Sequence, residues 1–251
     1  MTTRRRRAPS QILRCAQDDR ASGSRNTALA YVAFVILICA ISLHAEDLHG
    51  RIELLARGGG GPARGSDARQ AVVYYTPATP AKLRPREAPY LMTTRGKEFL
   101  PRVLAVPAGS RVQFANDDPI LHNVFSVSNG QPFDLGFIRK GPGRERAFDA
   151  PGLVRVYCNV HQSMVAYVLV VDTPYFTQPA ADGSFTLANL PKGSGKLTIW
   201  HEQTDPWTAA VTLPGAPAIA ARIEVTHPQV PSHLDKNGKS YFTSGRDQYR
   251  H

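Results

Sequence analysis

The sequence predicts an all-β protein built from β-sandwiches, and three observations carry that prediction. Convincing helical periodicity is scarce along the chain. Short runs rich in β-branched and aromatic residues recur instead, at 71–75, 102–106, 111–115, 123–127, 153–158 and 166–171, then at 184–187, 196–200, 208–213 and 220–225. Glycine, proline and aspartate separate them, the punctuation expected of many short strands packed as sandwiches. Alternation supports strands locally. In Val154-Arg155-Val156-Tyr157-Cys158, one face takes Val154, Val156 and Cys158 and the other takes Arg155 and Tyr157. Val112-Gln113-Phe114 repeats the pattern, and Pro151-Gly152 is the turn that launches the strand ending at Cys158.

The chain opens with Arg4 to Arg7 plus Arg14, Arg20 and Arg25, followed by an apolar run of 16 residues from Ala28 to Leu43. A basic stretch, an apolar stretch and then small residues around Ser42 and Ala45 read as a secretory signal over residues 1–45. The run falls short of the ~20 residues a membrane-spanning helix needs, so no membrane span is expected in the mature chain; an uncleaved anchor is the alternative. Ile38 before Cys39 is not the small residue of a lipoprotein signal.

Removing this leader takes away seven of the 30 basic and two of the 20 acidic residues, and net charge falls from +10 to about +5. That suits solubility and lacks the dense basic face that grips nucleic acid, so no nucleic-acid partner is expected. Cys15 and Cys39 leave with the leader, and Cys158 remains alone. A lone thiol in an oxidising compartment is reactive, paired between chains, or bound to something. A buried inert cysteine is the plain alternative.

The residues around Cys158 favour metal. His161 and Met164 follow it at three and six residues, and His122 lies 36 residues upstream on a separate strand-like run. A thiolate, two imidazoles and a thioether suit copper in both its oxidation states, with Met as a weak axial ligand. Cys-x-x-His alone occurs often by chance; the combination is the signal. Zinc fits less well, because a structural zinc site has four strong ligands and a thioether is a poor fourth.

The stretch 90–173 resembles the plastocyanin/azurin-like cupredoxins, the blue copper proteins, on Phe99-Leu100-Pro101, Val106-Pro107-Ala108-Gly109-Ser110, Val112-Gln113-Phe114-Ala115-Asn116, His122-Asn123-Val124 and Tyr157-Cys158-Asn159-Val160-His161. The short ligand loop is of the amicyanin type, and Phe133-Asp134-Leu135-Gly136 is similar to methylamine-utilisation-type members. The resemblance implies a Greek-key sandwich holding one copper ion, Cu(I)/Cu(II), on His122, Cys158, His161 and Met164. It implies that Asn123 fixes the Cys loop by hydrogen bonding, and that His161 reaches the surface in an apolar docking patch with Pro119, Ile120 and Val160. A multicopper oxidase would need histidines flanking the cysteine, where Tyr157 and Asn159 stand, and a dinuclear copper centre would need a second cysteine.

Asp182-Gly183-Ser184-Phe185-Thr186-Leu187, leading through Pro191 and Gly193 to Lys196-Leu197-Thr198-Ile199-Trp200, resembles the carboxypeptidase-regulatory or transthyretin-like sandwich. It is too short for a core of its own. Residues 49–55 and 71–75 look like its missing opening strands, so 46–89 and 174–226 are expected to complete one sandwich around a copper domain at 90–173; two sandwiches in series is the alternative. Residues 227–251, polar and with little apolar content, read as a flexible tail. His49, His201, His227, His233 and His251 read as surface or structural, and Asp117 and Asp118 before Pro119 as turn residues.

The expected function is therefore a one-electron carrier, periplasmic or secreted and not an enzyme, working with a redox partner protein such as a c-type cytochrome or a dehydrogenase. Copper storage or delivery without electron transfer, and a structural role in the cell envelope, are the alternatives.

Overall fold

The computed structural model describes residues 45–227, 231 and 233–241; the leader expected over 1–45, except Ala45, and His251 lie outside them. Among these residues the chain folds into strands apart from one 3-10 turn, Ala68–Gln70, and no helix is long and apolar enough to cross a membrane. The strands in chain order are β1 (Glu46–Leu55), β2 (Val72–Pro77), β3 (Tyr90–Arg95), β4 (Glu98–Leu100), β5 (Val103–Pro107), β6 (Ser110–Asn116), β7 (His122–Ser126) and β8 (Phe133–Ile138). They continue as β9 (Gly141–Phe148), β10 (Gly152–Tyr157), β11 (Val165–Val171), β12 (Phe176–Thr177), β13 (Ser184–Leu190), β14 (Gly193–Trp200), β15 (Trp207–Leu213) and β16 (Ile219–Glu224).

Four sheets form, ordered β4-β3-β6-β9, β5-β11-β10-β7-β8, β12-β2-β14-β15 and β13-β1-β16. Side-chain alternation assigns them to three apolar cores. Met92, Phe114 and Phe148 from the first sheet meet Val124, Val154, Val156 and Val168 from the second. Val73, Tyr75, Leu197 and Ile199 from the third meet Leu48, Ile52, Leu187 and Ile223 from the fourth. The third core joins the two sandwiches: Val103, Tyr157, Tyr167 and Leu169 pack against Val72 and Trp200. The arrangement is a four-sheet stack.

This explains β11, whose seven residues Val165-Ala-Tyr-Val-Leu-Val-Val are all buried. Ala166, Val168 and Val170 face one core; Val165, Tyr167, Leu169 and Val171 face the other. A strand covered on both faces reads as a continuous apolar run. Tyr157, on the face opposite Cys158, is accordingly buried against the second sandwich.

Ile52, Val73 and Leu197 share one core, with β1 paired to β13 and β16, and β2 to β14. The chain leaves that sandwich after β2 and returns on β12, which pairs antiparallel with β2 through Phe176↔Tyr74 and Thr177↔Val73. The Thr173 hydroxyl donates to the Tyr75 carbonyl at 2.6 Å and closes the neck.

Several strands had no sequence signal. β9, Gly-Pro-Gly-Arg-Glu-Arg-Ala-Phe, is a largely exposed edge strand in which two glycines and a proline erase the alternation. β3, β4, β8 and the two-residue β12 were likewise not anticipated. Part of the expected tail makes contacts with the rest of the chain. Residues 233–241 lie against the segment that carries Cys158 and His161, held by aromatic stacking and polar contacts that a reading of apolar content does not register.

One buried ion pair spans the two sandwiches. Arg102, just before β5, directs its Nε at both carboxylate oxygens of Glu202, at 2.7 and 2.8 Å, and the Glu202 side chain is fully buried. Arg102 also donates to the Val165 carbonyl at 3.1 Å. Removing one side of such a pair is costly because the remaining charge loses its counter-charge in a poorly solvated place. Glu202→Ala is expected to lower stability by about 3 kcal/mol, read from denaturant unfolding, and Glu202→Gln by less.

Candidate metal centre

Neighbouring antiparallel strands bring the parts of the site together. β7 and β10 pair through Tyr157↔Phe125, so the start of β7, His122, lies at the end of the sheet where β10 runs out into Cys158. The seven residues from Cys158 to Met164 then loop back into β11. The Cys158 amide donates to the Met164 carbonyl at 3.3 Å and the Met164 amide to the His161 carbonyl at 3.1 Å, which closes the loop on itself.

Within this loop Cys158 Sγ sits 3.9 Å from His122 Nδ1 and 3.8 Å from His161 Nδ1. The three donor atoms lie within 4.8 Å of one another, and among the described residues no other such group of His, Cys, Asp or Glu occurs. Cys158 and His122 are fully buried and His161 is half-buried. Met164, at 1% exposure, belongs to the same core cluster as Cys158.

These distances fit a metal between the donors. Bonds of about 2.3 Å to sulfur and about 2.05 Å to nitrogen place the two about 3.8 Å apart at a trigonal angle, and about 3.6 Å apart at a tetrahedral one. The observed separations leave room for one ion between the donors. A thiol proton serves one nitrogen at a time, so two near-equal distances are less natural for a simple S–H···N bond.

The electrostatics agree. Burial pushes the Cys158 thiol pKa up, against the pull of the Val160, Asn123 and His161 amides that face the sulfur, that of Val160 at 3.4 Å. Burial, together with His122 and Lys97, pushes the His161 pKa down against the opposing pull of Asp118. A neutral imidazole offers a lone pair, and a cation can take the place of the thiol proton.

Asp118, read from sequence as a turn residue, is a working part of this arrangement. Its Oδ2 lies 2.8 Å from His122 Nε2. A carboxylate only accepts, so Nε2 carries the proton and, in the neutral ring, Nδ1 is left free to face Cys158. The same carboxylate accepts from the amides of Gly96 at 2.7 Å and Lys97 at 3.0 Å. Those two residues form the β3–β4 turn, and both have φ of 62°, the pair of positive values a two-residue hairpin loop needs. Burial works against the Asp118 carboxylate, but the Lys97 and Gly96 amides and the His122 ring outweigh it and hold its pKa below the usual range. The signal that could have found Asp118 is its spacing of four residues from His122 across Pro119.

Asn123 makes two kinds of contact beside the site. Its backbone amide faces the Cys158 sulfur, whereas its side-chain amide donates to Asp134 Oδ1 at 2.8 Å, and its buried Oδ1 has no partner. Pro119, Ile120 and Val160 are exposed, as are Leu121 and Phe137. Of the remaining histidines, His49 meets the Thr186 hydroxyl, buried His201 meets the Asp67 carbonyl, His227 faces Asp205, and His233 stacks on Tyr157.

No protein-family model and no curated protein matches the chain. Solved structures do. A purple cupredoxin from Nitrosopumilus maritimus is 26% identical over 33% of this chain and 99% of its own, with a TM-score of 0.30. A reduced-state amicyanin variant is 17% identical over 39% of this chain and 99% of its own, TM-score 0.32. A copper-containing nitrite reductase from Thermus scotoductus is 20% identical over 47% of this chain and 28% of its own, TM-score 0.33.

Asp118→Asn is expected to weaken metal binding about 10–100-fold, the usual cost of losing the partner that orients a ligating histidine. Competition against a chelator of known affinity measures it. Asp117→Asn, which alters only the exposed pair with Arg95, is the control and is expected to leave affinity unchanged.

Proposed function

We propose that the protein is an exported one-electron carrier of the cupredoxin type, holding one copper ion on His122, Cys158 and His161 with Met164 as a weak fourth ligand. The observation that carries this reading is the donor triangle itself, with sulfur 3.8 and 3.9 Å from two Nδ1 atoms in a buried pocket. Copper bound there supplies reversible one-electron chemistry, and the thiolate, imidazole and thioether set suits both of its valences.

The chain's own residues do the rest. Asp118 fixes the His122 ring with Nδ1 inward. The amides of Val160, Asn123 and His161 face the sulfur and stabilise its anionic form. Burial keeps water from Cys158, and half-buried His161 lies between the sulfur and solvent. A redox partner protein docks on the exposed apolar side chains Pro119, Ile120 and Val160, to which Leu121 and Phe137 add area. Residues 90–173 are the copper domain, inserted into a sandwich made of 46–89 and 174–226; the shared core of Ile52, Val73 and Leu197 supports this. The leader over residues 1–45 directs export, to the periplasm or beyond.

A copper-loaded sample is expected to show an intense visible sulfur-to-copper charge-transfer band that Cys158→Ser abolishes; a colourless wild-type sample overturns the reading. Met164→Gln is expected to keep copper and move the reduction potential on the order of 59 mV, a tenfold change in a one-electron equilibrium, as measured by voltammetry. Fast electron exchange with a c-type haem protein in stopped flow separates a carrier from a storage protein, which reacts slowly.

A further inference from the structure

We infer that residues 233–241 are a strap that holds the ligand loop in its metal-ready form. The loop between Cys158 and Met164 is irregular backbone at the surface, and its tip residue Val160 is exposed. Its own contacts are two backbone bonds and the amides turned toward the Cys158 sulfur, a sparse set for surface backbone. The strap supplies what is missing. Tyr241 donates its hydroxyl to the Cys158 carbonyl at 2.9 Å, the Lys236 amide donates to Asn159 Oδ1 at 2.9 Å, and His233 Nε2 donates to the Gln162 carbonyl at 2.9 Å. Three of the loop's seven residues are thereby held from one side.

The strap also reaches the other ligand strand. Lys236 Nζ meets Asp134 Oδ2 at 2.7 Å, and Asp134 Oδ1 accepts from Asn123, the residue after His122. One lysine thus connects the loop bearing Cys158 and His161 to the strand bearing His122. Aromatic contacts seat the segment: His233 stacks on Tyr157 at 4.2 Å and 24°, and Tyr241 meets the edge of His233 at 5.2 Å and 82°.

So polar a segment is orderly because it folds on itself. Asp235 Oδ1 accepts from the amides of Asn237 and Lys239, the Asp235 amide donates to the Lys239 carbonyl, and Gly238 donates to the Asp235 carbonyl. At its other end the chain is fixed to the second sandwich, where the amides of Thr226 and His227 both donate to the Gln203 carbonyl.

The proposal rests on the copper reading for its metal readout, and a metal-free readout stands beside it. Three variants are compared with the full chain: one ending at His227, Tyr241→Phe and Lys236→Met. In metal-free protein, amide hydrogen exchange at residues 159–163 is expected to rise at least about tenfold on truncation and by less in the point variants, with β11 unchanged. In copper-loaded protein, transfer to a chelator is expected to quicken by about tenfold, the lower end of what losing an outer contact costs a metal site. A truncated chain with the exchange and copper-loss rates of the full chain overturns the strap. If truncation abolishes folding, seen by circular dichroism, the point variants decide by the same two readouts. Exchange that responds in a full chain taking up no copper leaves the strap standing and refutes the copper reading; bound copper with neither readout changed does the reverse.

Discussion

The structure turns on the burial of one sulfur atom. Cys158 is fully enclosed, and a thiolate there has lost water without gaining a full positive charge from any side chain. An uncompensated anion in such a place is unfavourable, and the rise in the thiol pKa records the cost. The amides facing the sulfur lower that cost and do not remove it. A cation between the sulfur and the two imidazoles does, which is why donor geometry, burial and charge all point to one chemistry. It is also why Cys158 stands at the end of β10, where the alternation that buries Val154 and Val156 carries the next inward side chain beyond the last strand residue.

Apolar packing cannot place the loop that precedes His122, and a buried polar chain does so instead. Asn116, at the end of β6, is wholly buried and uses both ends of its amide. Its Nδ2 donates to the Ile120 and Ile138 carbonyls, and its Oδ1 accepts from the Thr94 hydroxyl and the Asp118 amide. This sets residues 117–120 and aims the Asp118 carboxylate at His122 and at the β3–β4 turn. Interior polar groups are tolerated when they are satisfied in this way, and they specify one arrangement where an apolar contact would accept several.

Much of this was legible in the sequence, for identifiable reasons. Strands with a buried face announced themselves through alternation, as at 111–115 and 153–158, and β11 through its unbroken apolar run. The His122, Cys158 and His161 grouping was legible because Cys158 and His161 are close in sequence and chemically unusual together. Asp118 was hidden because an Asp-Asp-Pro sequence has an adequate local explanation as a turn, and its longer-range role depends on a strand pairing that brings Gly96 and Lys97 to it. The strap was hidden for a related reason. Lys236, His233 and Tyr241 make their contacts with groups 71 to 102 residues away, and nothing in local composition encodes such partners.

The second sandwich therefore acts on the metal loop by more than proximity. It covers the outer face of the five-stranded sheet, burying Tyr157, the residue bonded directly to Cys158. It meets Arg102 with Glu202, and Arg102 in turn holds the Val165 carbonyl at the start of β11, one residue after Met164. The strap adds the bond from the Tyr241 hydroxyl to the Cys158 carbonyl. The loop is thus bounded by that sandwich at its entrance, through Tyr157, and at its exit, through Arg102, with the strap along its length. An ion that changes valence pulls on its ligands differently in each state, and the less they move the smaller the barrier to the change. For the copper carrier proposed above, holding a short loop from three directions limits that movement, and the second sandwich then serves the same end as the hydrogen bond between Asp118 and His122.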